Sequence, residues 1–382
     1  MRSSSCRAIV VALVLGIVGC RDVTPASEDI GGSSESSGGG SGAGTEPDVV
    51  DGDSTGEPTE PDACEDACID LGSEDGIAGC HACRCKIAFD DWLPSVDELQ
   101  CQNAEAIVTH HAVLSETGYT LEPAPPGATD CANPSFLTGS CQQGSKLGQL
   151  THGDVSVYWI CRDPYLDLDG SVLFEDMAVI GHNARTGATC FWDDINDQVH
   201  EDDAPPLDLS EATEDERARS VEVFKYNDGS SCVTCHDHDP FIYTPHLQST
   251  GWASIAANKR PYHLVDLRGE PRPTGVMHLV SPQADACTSC HRLGSRNTCS
   301  SFAPDSMGSH KLHPYEDEVH AAAEPGSPYW ELAYWMPTAS VELADFDAWE
   351  AAFGEARDHV LECCAAPGVD AGDCRWEAVP SE

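Results

Sequence analysis

The chain has 382 residues, with 65 acidic against 20 basic side chains and a formal charge of −45. That balance excludes nucleic acid as a partner, and it excludes docking on an anionic lipid surface, because both would repel it. It fits a solvated acidic surface, and it equally fits steering toward basic redox partners.

Residues 1–19 hold Arg2 and Arg7, followed by a continuous apolar run from 8 to 19. Twelve apolar residues are too few to span a bilayer, so the stretch reads as an export signal. Its loss would take the charge from −45 to −47, since Arg2 and Arg7 go with it. It ends Ile17-Val18-Gly19-Cys20, either an incidental cysteine after an ordinary signal or a feature that resembles the lipobox of bacterial lipoproteins. The resemblance implies cleavage before Cys20 and lipid on its sulfur, with several acyl chains giving stable anchoring and no other membrane contact. With Arg21 next in the chain, it also implies an outer-membrane address, on the periplasmic or cell-surface side. Residues 20–63 then form a linker rich in Gly, Ser, Thr, Pro, Asp and Glu, without an aromatic residue. Such a segment buries too little apolar surface to offset its ordering entropy, and as a flexible tether it spans about 35 Å.

Two domains are expected beyond the linker, a cysteine-rich α+β region at 64–205 and a second at 206–382. Of twenty cysteines, Cys6 lies in the signal, Cys20 at the lipobox and four in the motifs described below, which leaves fourteen. An even number in an exported chain predicts seven disulfides of unspecified connectivity. Cys64, Cys68, Cys80, Cys83, Cys85 and Cys101 crowd together as a stapled subdomain. The Cys80–Cys85 run, with His81 inside it, points to structural disulfides ahead of a metal site. Cys363 and Cys364 adjoin, so each needs another partner, with Cys374 at hand for one of them.

Residues 95–117 open with a capping box, Ser95 and Glu98, and place Val96, Leu99, Ile107 and Val108 near helical spacing, which predicts a helix. Residues 154–161 alternate as a strand does. Residues 177–180, a turn at 183–187 and residues 189–192 read as a β-hairpin, with Cys161 and Cys190 a plausible disulfide across neighbouring strands. Asp167-Leu168-Asp169-Gly170 is superficially a calcium loop, but Tyr165 would hold its first ligand position and no glutamate its twelfth. An Asp-Gly turn is the reading. The middle of the chain offers no catalytic motif.

Residues 210–226 predict a helix, and an Asn-Asp-Gly turn ends it just before Cys232-Val233-Thr234-Cys235-His236. The pattern recurs 55 residues on as Cys287-Thr288-Ser289-Cys290-His291. C-x-x-C-H is the attachment signature of c-type haem: two thiols add across the two vinyl groups, and the adjacent imidazole takes the proximal position on iron. Cys232, Cys235, Cys287 and Cys290 are thus the expected attachment residues for two haem c groups, with His236 and His291 as proximal ligands. Disulfides within each motif, or zinc held by Cys-Cys-His sets, are the competing assignments.

Ser281-Pro282 caps a helix carrying the second motif. Met336-Pro337 follows 45 residues after His291, and Phe346, Trp349, Phe353 and Val360 then mark an amphipathic helix with Asp345 as cap. This order resembles class I cytochromes c over about 281–362. The resemblance implies a mainly α dihaem domain over 206–382 and Met336 as distal ligand of the second haem. His310, His313 or His320 would give a bis-histidine site instead. For the first haem the distal candidates are Met277, His246, His263 and His278. Met277 comes first, since it follows His236 by 41 residues and so mirrors the Met336 spacing. Asp237 and Asp239 flank the first motif while Arg292 and Arg296 follow the second, which predicts a lower potential for the first haem.

The expected function is electron transfer by a lipid-anchored dihaem cytochrome, an electron carrier more than a catalyst. A dihaem peroxidase with one open distal site is the first alternative, and a haem-based redox or gas sensor the second.

Overall fold

Residues 155–161 are apolar on both sides of the strand they form, and this near-continuous burial places them between two covering layers instead of on a half-solvated sheet. The computed structural model describes residues 62–306 and 343–380, except 116–117, 126, 129–130, 136, 138–139, 225–228, 243, 248–260 and 290–291. The expected export signal, Cys20 and nearly all of the expected linker therefore lie outside the described residues.

Four long strands, β4 (Lys146–His152), β5 (Val155–Leu166), β6 (Val172–Asn183) and β7 (Ala188–His200), run as an antiparallel meander. The expected hairpin is β6 and β7. Its turn closes on Gly187, whose φ of +87° and approach to Pro261 leave no room for a Cβ. The Asp-Gly turn at Gly170 joins β5 to β6. The two-residue β1 (Glu105–Ala106) edges the sheet beside β4. At the other edge β8 (His263–Val265) pairs parallel with β7 and antiparallel with β9 (Pro271–Pro273). Two small ladders lie outside this sheet: β2 (His110–Ser115) with β3 (Gly118–Pro123), and β10 (Met277–Leu279) with β11 (Trp376–Ala378).

The period-2 pleat sends alternate side chains to opposite faces. One face presents Val157, Trp159, Met177, Val179 and Trp192 to Phe89, Leu99 and Phe224. Those residues belong to or directly follow α1 (Glu74–Ala88), α2 (Val96–Leu99) and α3 (Glu214–Val223). The opposite face presents Tyr158, Ile160, Ala178, Ile180 and Phe191 to Cys232, Val233, Phe241 and Leu247. A third core, with Leu279, Leu293, Val360 and Trp376, forms around the C-terminal helix Phe346–Cys363, where Asp345 accepts from the Ala348 N–H at 2.9 Å. Residues before and after position 206 thus share both cores of the sheet. Among the described residues no helix is long and apolar enough to cross a membrane.

Seven disulfides join the fourteen described cysteines outside the two motifs. Cys64–Cys83 and Cys68–Cys80 staple the chain start to α1, Cys85–Cys190 ties α1 to β7, and Cys101–Cys161 ties the end of α2 to β5. Cys131–Cys141 closes a loop, while Cys299–Cys364 and Cys363–Cys374 hold the C-terminal helix.

Three expectations need correction. Cys161 and Cys190 are not paired: β6 separates β5 from β7, and two strand spacings of about 4.8 Å exceed what a disulfide can bridge. The helix expected over 95–117 is a single capped turn. Its chain turns extended at Gln100, Cys101 is tied to β5, and the β-branched Ile107, Val108 and Thr109 lead into β2. Nor do the described residues of 206–382 form a mainly α domain, because β8, β9, β10 and β11 all fall there and α3 packs on α1 and β7. What stands is a mixed α+β architecture rich in disulfides.

Candidate haem-attachment sites

The first motif forms α4 (Cys232–Cys235), one helical turn closed by the His236 N–H donating to the Cys232 carbonyl at 2.8 Å. Residues three apart share a helix face, so one turn brings both sulfurs to the same side. Gly229 starts the turn at φ +73°, where a Cβ would be strained and would press on the Leu264 side chain at 3.0 Å. His236 is fully buried, its ring centroid 5.4 Å from Phe191, and its carbonyl accepts the Tyr262 hydroxyl at 3.0 Å. Phe241 continues this apolar wall, 4.3 Å from Tyr158 and edge-on to His182.

Of the second motif, Cys287 lies half-buried on α5 (Asp285–Thr288), which follows the proline-initiated turn Pro282–Ala284. Burial pushes its thiol up to about 11, against the pull of Arg357. Cys290 and His291 lie outside the described residues, as do Met336, His310, His313 and His320.

The chain after the second motif folds back onto the first. The fully buried Asp237 accepts from the Arg296 N–H at 2.6 Å, the Thr298 hydroxyl at 2.5 Å and the Thr298 N–H at 3.3 Å. Thr298 Oγ1 also lies 2.8 Å from His238 Nδ1. Asn297 Nδ2 donates to Cys235 Sγ at 3.1 Å, and Arg296 Nη1 to the Val233 carbonyl at 3.5 Å. Gly294 passes so close that a Cβ would sit 2.5 Å from Asp237. Arg292 lies 3.8 Å from Asp239, both nearly inaccessible to solvent. Burial pushes Asp239 up to about 6, against the pull of His238 and Arg292. For His238, burial opposes the charged form, but Asp237 and Asp239 outweigh it and raise the imidazole above its usual range. Of the two basic residues, Arg292 pairs by charge with Asp239, whereas Arg296 meets Asp237 through its backbone N–H.

The distal candidates for the first haem separate by location. Met277, on β10, packs against the third core, as Cys287 and Cys364 do, and a Cβ at Gly368 would meet it at 3.6 Å. His263 alternates with Leu264, which faces the first motif, so it shares the side of Val265 toward the helix layer. His278 is half-buried beside Arg292 and Glu377. His246 is 2% exposed in the short turn Pro245–Leu247, whose Leu247 packs with Cys232 and Val233. Its Nδ1 lies 2.9 Å from the Asn133 carbonyl, while Nε2 is buried without a hydrogen-bond partner. Burial takes this imidazole down to about 4, reinforced by Arg162 and opposed by the Asn133 bond, so it is neutral at pH 7.

The Asn133 anchor and the Arg162–Asp176 pair were invisible in the sequence, since strand pairing and a disulfide loop bring them in from about 70 to 115 residues away. Two other clusters, His81 with Cys85 and Cys190, and His359 with Cys363 and Cys374, have their sulfurs in disulfides, which removes the thiolates that a metal would need.

Comparison with protein-family models, with curated proteins and with solved structures finds no match to the chain.

Proposed function

We propose that this chain is a dihaem c-type cytochrome that transfers electrons between redox proteins outside the cytoplasm, tethered through lipid on Cys20. The observation that carries the reading is the division of the cysteines. The seven disulfides take every described cysteine outside the two C-x-x-C-H motifs and none within them. Cys232, Cys235 and Cys287 belong to none of the seven, in a fold whose other described cysteines are all disulfide-linked. Zinc fits less well, because among the described residues the clusters that combine His with Cys lie elsewhere and are disulfide-linked.

The residues at the first motif fit a haem. Two sulfurs share one face of a turn, a buried imidazole adjoins them, and a neutral buried histidine offers a bare nitrogen nearby in the same core. Haem, once bound, supplies reversible one-electron chemistry at iron. Cys232, Cys235, Cys287 and Cys290 would hold the two groups, and His236 and His291 would ligate them. Met336 is the proposed distal ligand of the second. Phe191, Tyr158 and Phe241 exclude water from the His236 side, which limits solvent reorganisation on electron transfer. The Asp237–Thr298 network fixes the segment after the second motif against the first, so the two attachment sites keep a constant relation.

Pyridine haemochrome analysis of protein matured with its signal intact, combined with intact mass, tests this. Two covalent haems per chain are expected, one in the Cys232→Ser/Cys235→Ser variant, together with the added mass of acyl chains. A colourless product with no pigment surviving acid–acetone overturns the proposal.

A further inference from the structure

The first motif needs a sixth ligand if its haem is a pure electron carrier, and Met277 packs in the core of the second motif. We infer that His246 Nε2 is the axial ligand opposite His236, making the first haem a bis-histidine site. This inference rests on the haem reading above and adds to it the identity of one iron ligand.

Four observations converge on the ring. His246 is 2% exposed, yet its Nε2 is buried with no hydrogen-bond partner, an arrangement that costs about 1–3 kcal/mol unless another acceptor of that lone pair is present. Its Nδ1 faces a carbonyl at 2.9 Å, which fixes Nδ1 as the protonated nitrogen and leaves the lone pair on Nε2. Metal-binding histidines carry this outer partner as a rule, because it orients the ring and raises its basicity.

The partner is itself rigid. Asn133 is fully buried, its Oδ1 accepts the His110 N–H at 2.7 Å, and its Nδ2 donates to the Val108 carbonyl at 3.1 Å. The Cys131–Cys141 disulfide closes the loop that carries it. Finally, Leu247, next in the chain, packs in the same core as Cys232 and Val233, so the turn bearing His246 lies against the same sheet face as the first motif. Of the other candidates, His263 faces the helix layer, and His278 sits half-buried beside Arg292.

The experiment uses the full chain with both motifs. Haemochrome analysis comes first: two covalent haems establish the premise, and their absence removes the haem reading irrespective of His246. Ferric electron paramagnetic resonance and carbon monoxide binding to the ferrous form then read the ligands. In wild type both haems are expected to be low-spin and inert to carbon monoxide. In His246→Gly one of the two turns high-spin and binds carbon monoxide, and added imidazole restores the low-spin form. A His246→Met chain keeps six-coordinate iron and exchanges a nitrogen–nitrogen near-infrared charge-transfer band for a nitrogen–sulfur one, a readout that needs no vacant site. The assignment is overturned if two haems are present and neither variant alters either spectrum, or if His278→Gly or Met277→Ala gives the high-spin change in place of His246→Gly.

Discussion

His81 shows how a buried imidazole makes stability depend on pH. It lies on α1 with its ring 5.2 Å from that of Trp192, and burial takes its pKa from 6.5 down to about 4. The folded chain therefore binds fewer protons than the unfolded chain between those values. Its contribution is fully present above pH 6.5 and is lost as the pH falls through 4. Denaturant titrations of the disulfide-intact protein should show stability falling toward acid across that window. His81→Leu should reduce the slope by up to about 1.4 kcal/mol per pH unit. Arg162 makes a second case. It pairs with Asp176 across β5 and β6, both below 8% exposed. Arg162→Met should cost about 3–5 kcal/mol by leaving a buried carboxylate alone, and adding Asp176→Leu should return most of that loss in the same titration.

Among the elements, α1 and the sheet are joined by a cross-link and by a close approach. Cys85–Cys190 closes a loop of 105 residues, so the Cys85→Ala/Cys190→Ala protein should lose up to about 4.7 kcal/mol, while the 11-residue Cys363–Cys374 link contributes nearer 3 kcal/mol. Gly181 lies under Phe89, where a Cβ would fall 2.3 Å from the ring. Gly181→Val should therefore cost about 1–3 kcal/mol in thermal unfolding. Capping boxes, the 177–192 hairpin and the number of disulfides were legible in the sequence because each depends on neighbours within a few residues or on a count. The partners of Cys161 and Cys190 were not, since strand order decides them. The 95–117 segment misled because Ile107 and Val108 satisfy a helical spacing loosely and a strand equally well. At the first motif the C-x-x-C-H spacing was legible, and the fold sets Cys232 and Cys235 on one helical turn beside the buried His236. The preference for Met277 rested on spacing alone, and the fold places that residue beside the other motif.

At the scale of the whole molecule, the charge of −45 is the dominant long-range feature. On the haem reading, a cationic small-molecule oxidant should take electrons from the reduced protein faster than an anionic one of equal driving force at low ionic strength. Stopped-flow traces should show that gap narrowing as salt shortens the Debye length to about 8 Å. The 206–382 region does not stand apart from the rest, because its first motif completes a core begun by strands about 40 to 85 residues earlier. That motif sits in the crossover from β7 to β8, and in the finished fold Cys232 is 3% exposed and His236 is sealed. A pigment as large as a porphyrin cannot be threaded in afterwards. On the haem reading, export therefore sets a deadline: ligation at the first motif has to be finished before β8 zips onto β7, and a chain that closes early is lost as an electron carrier however well it folds.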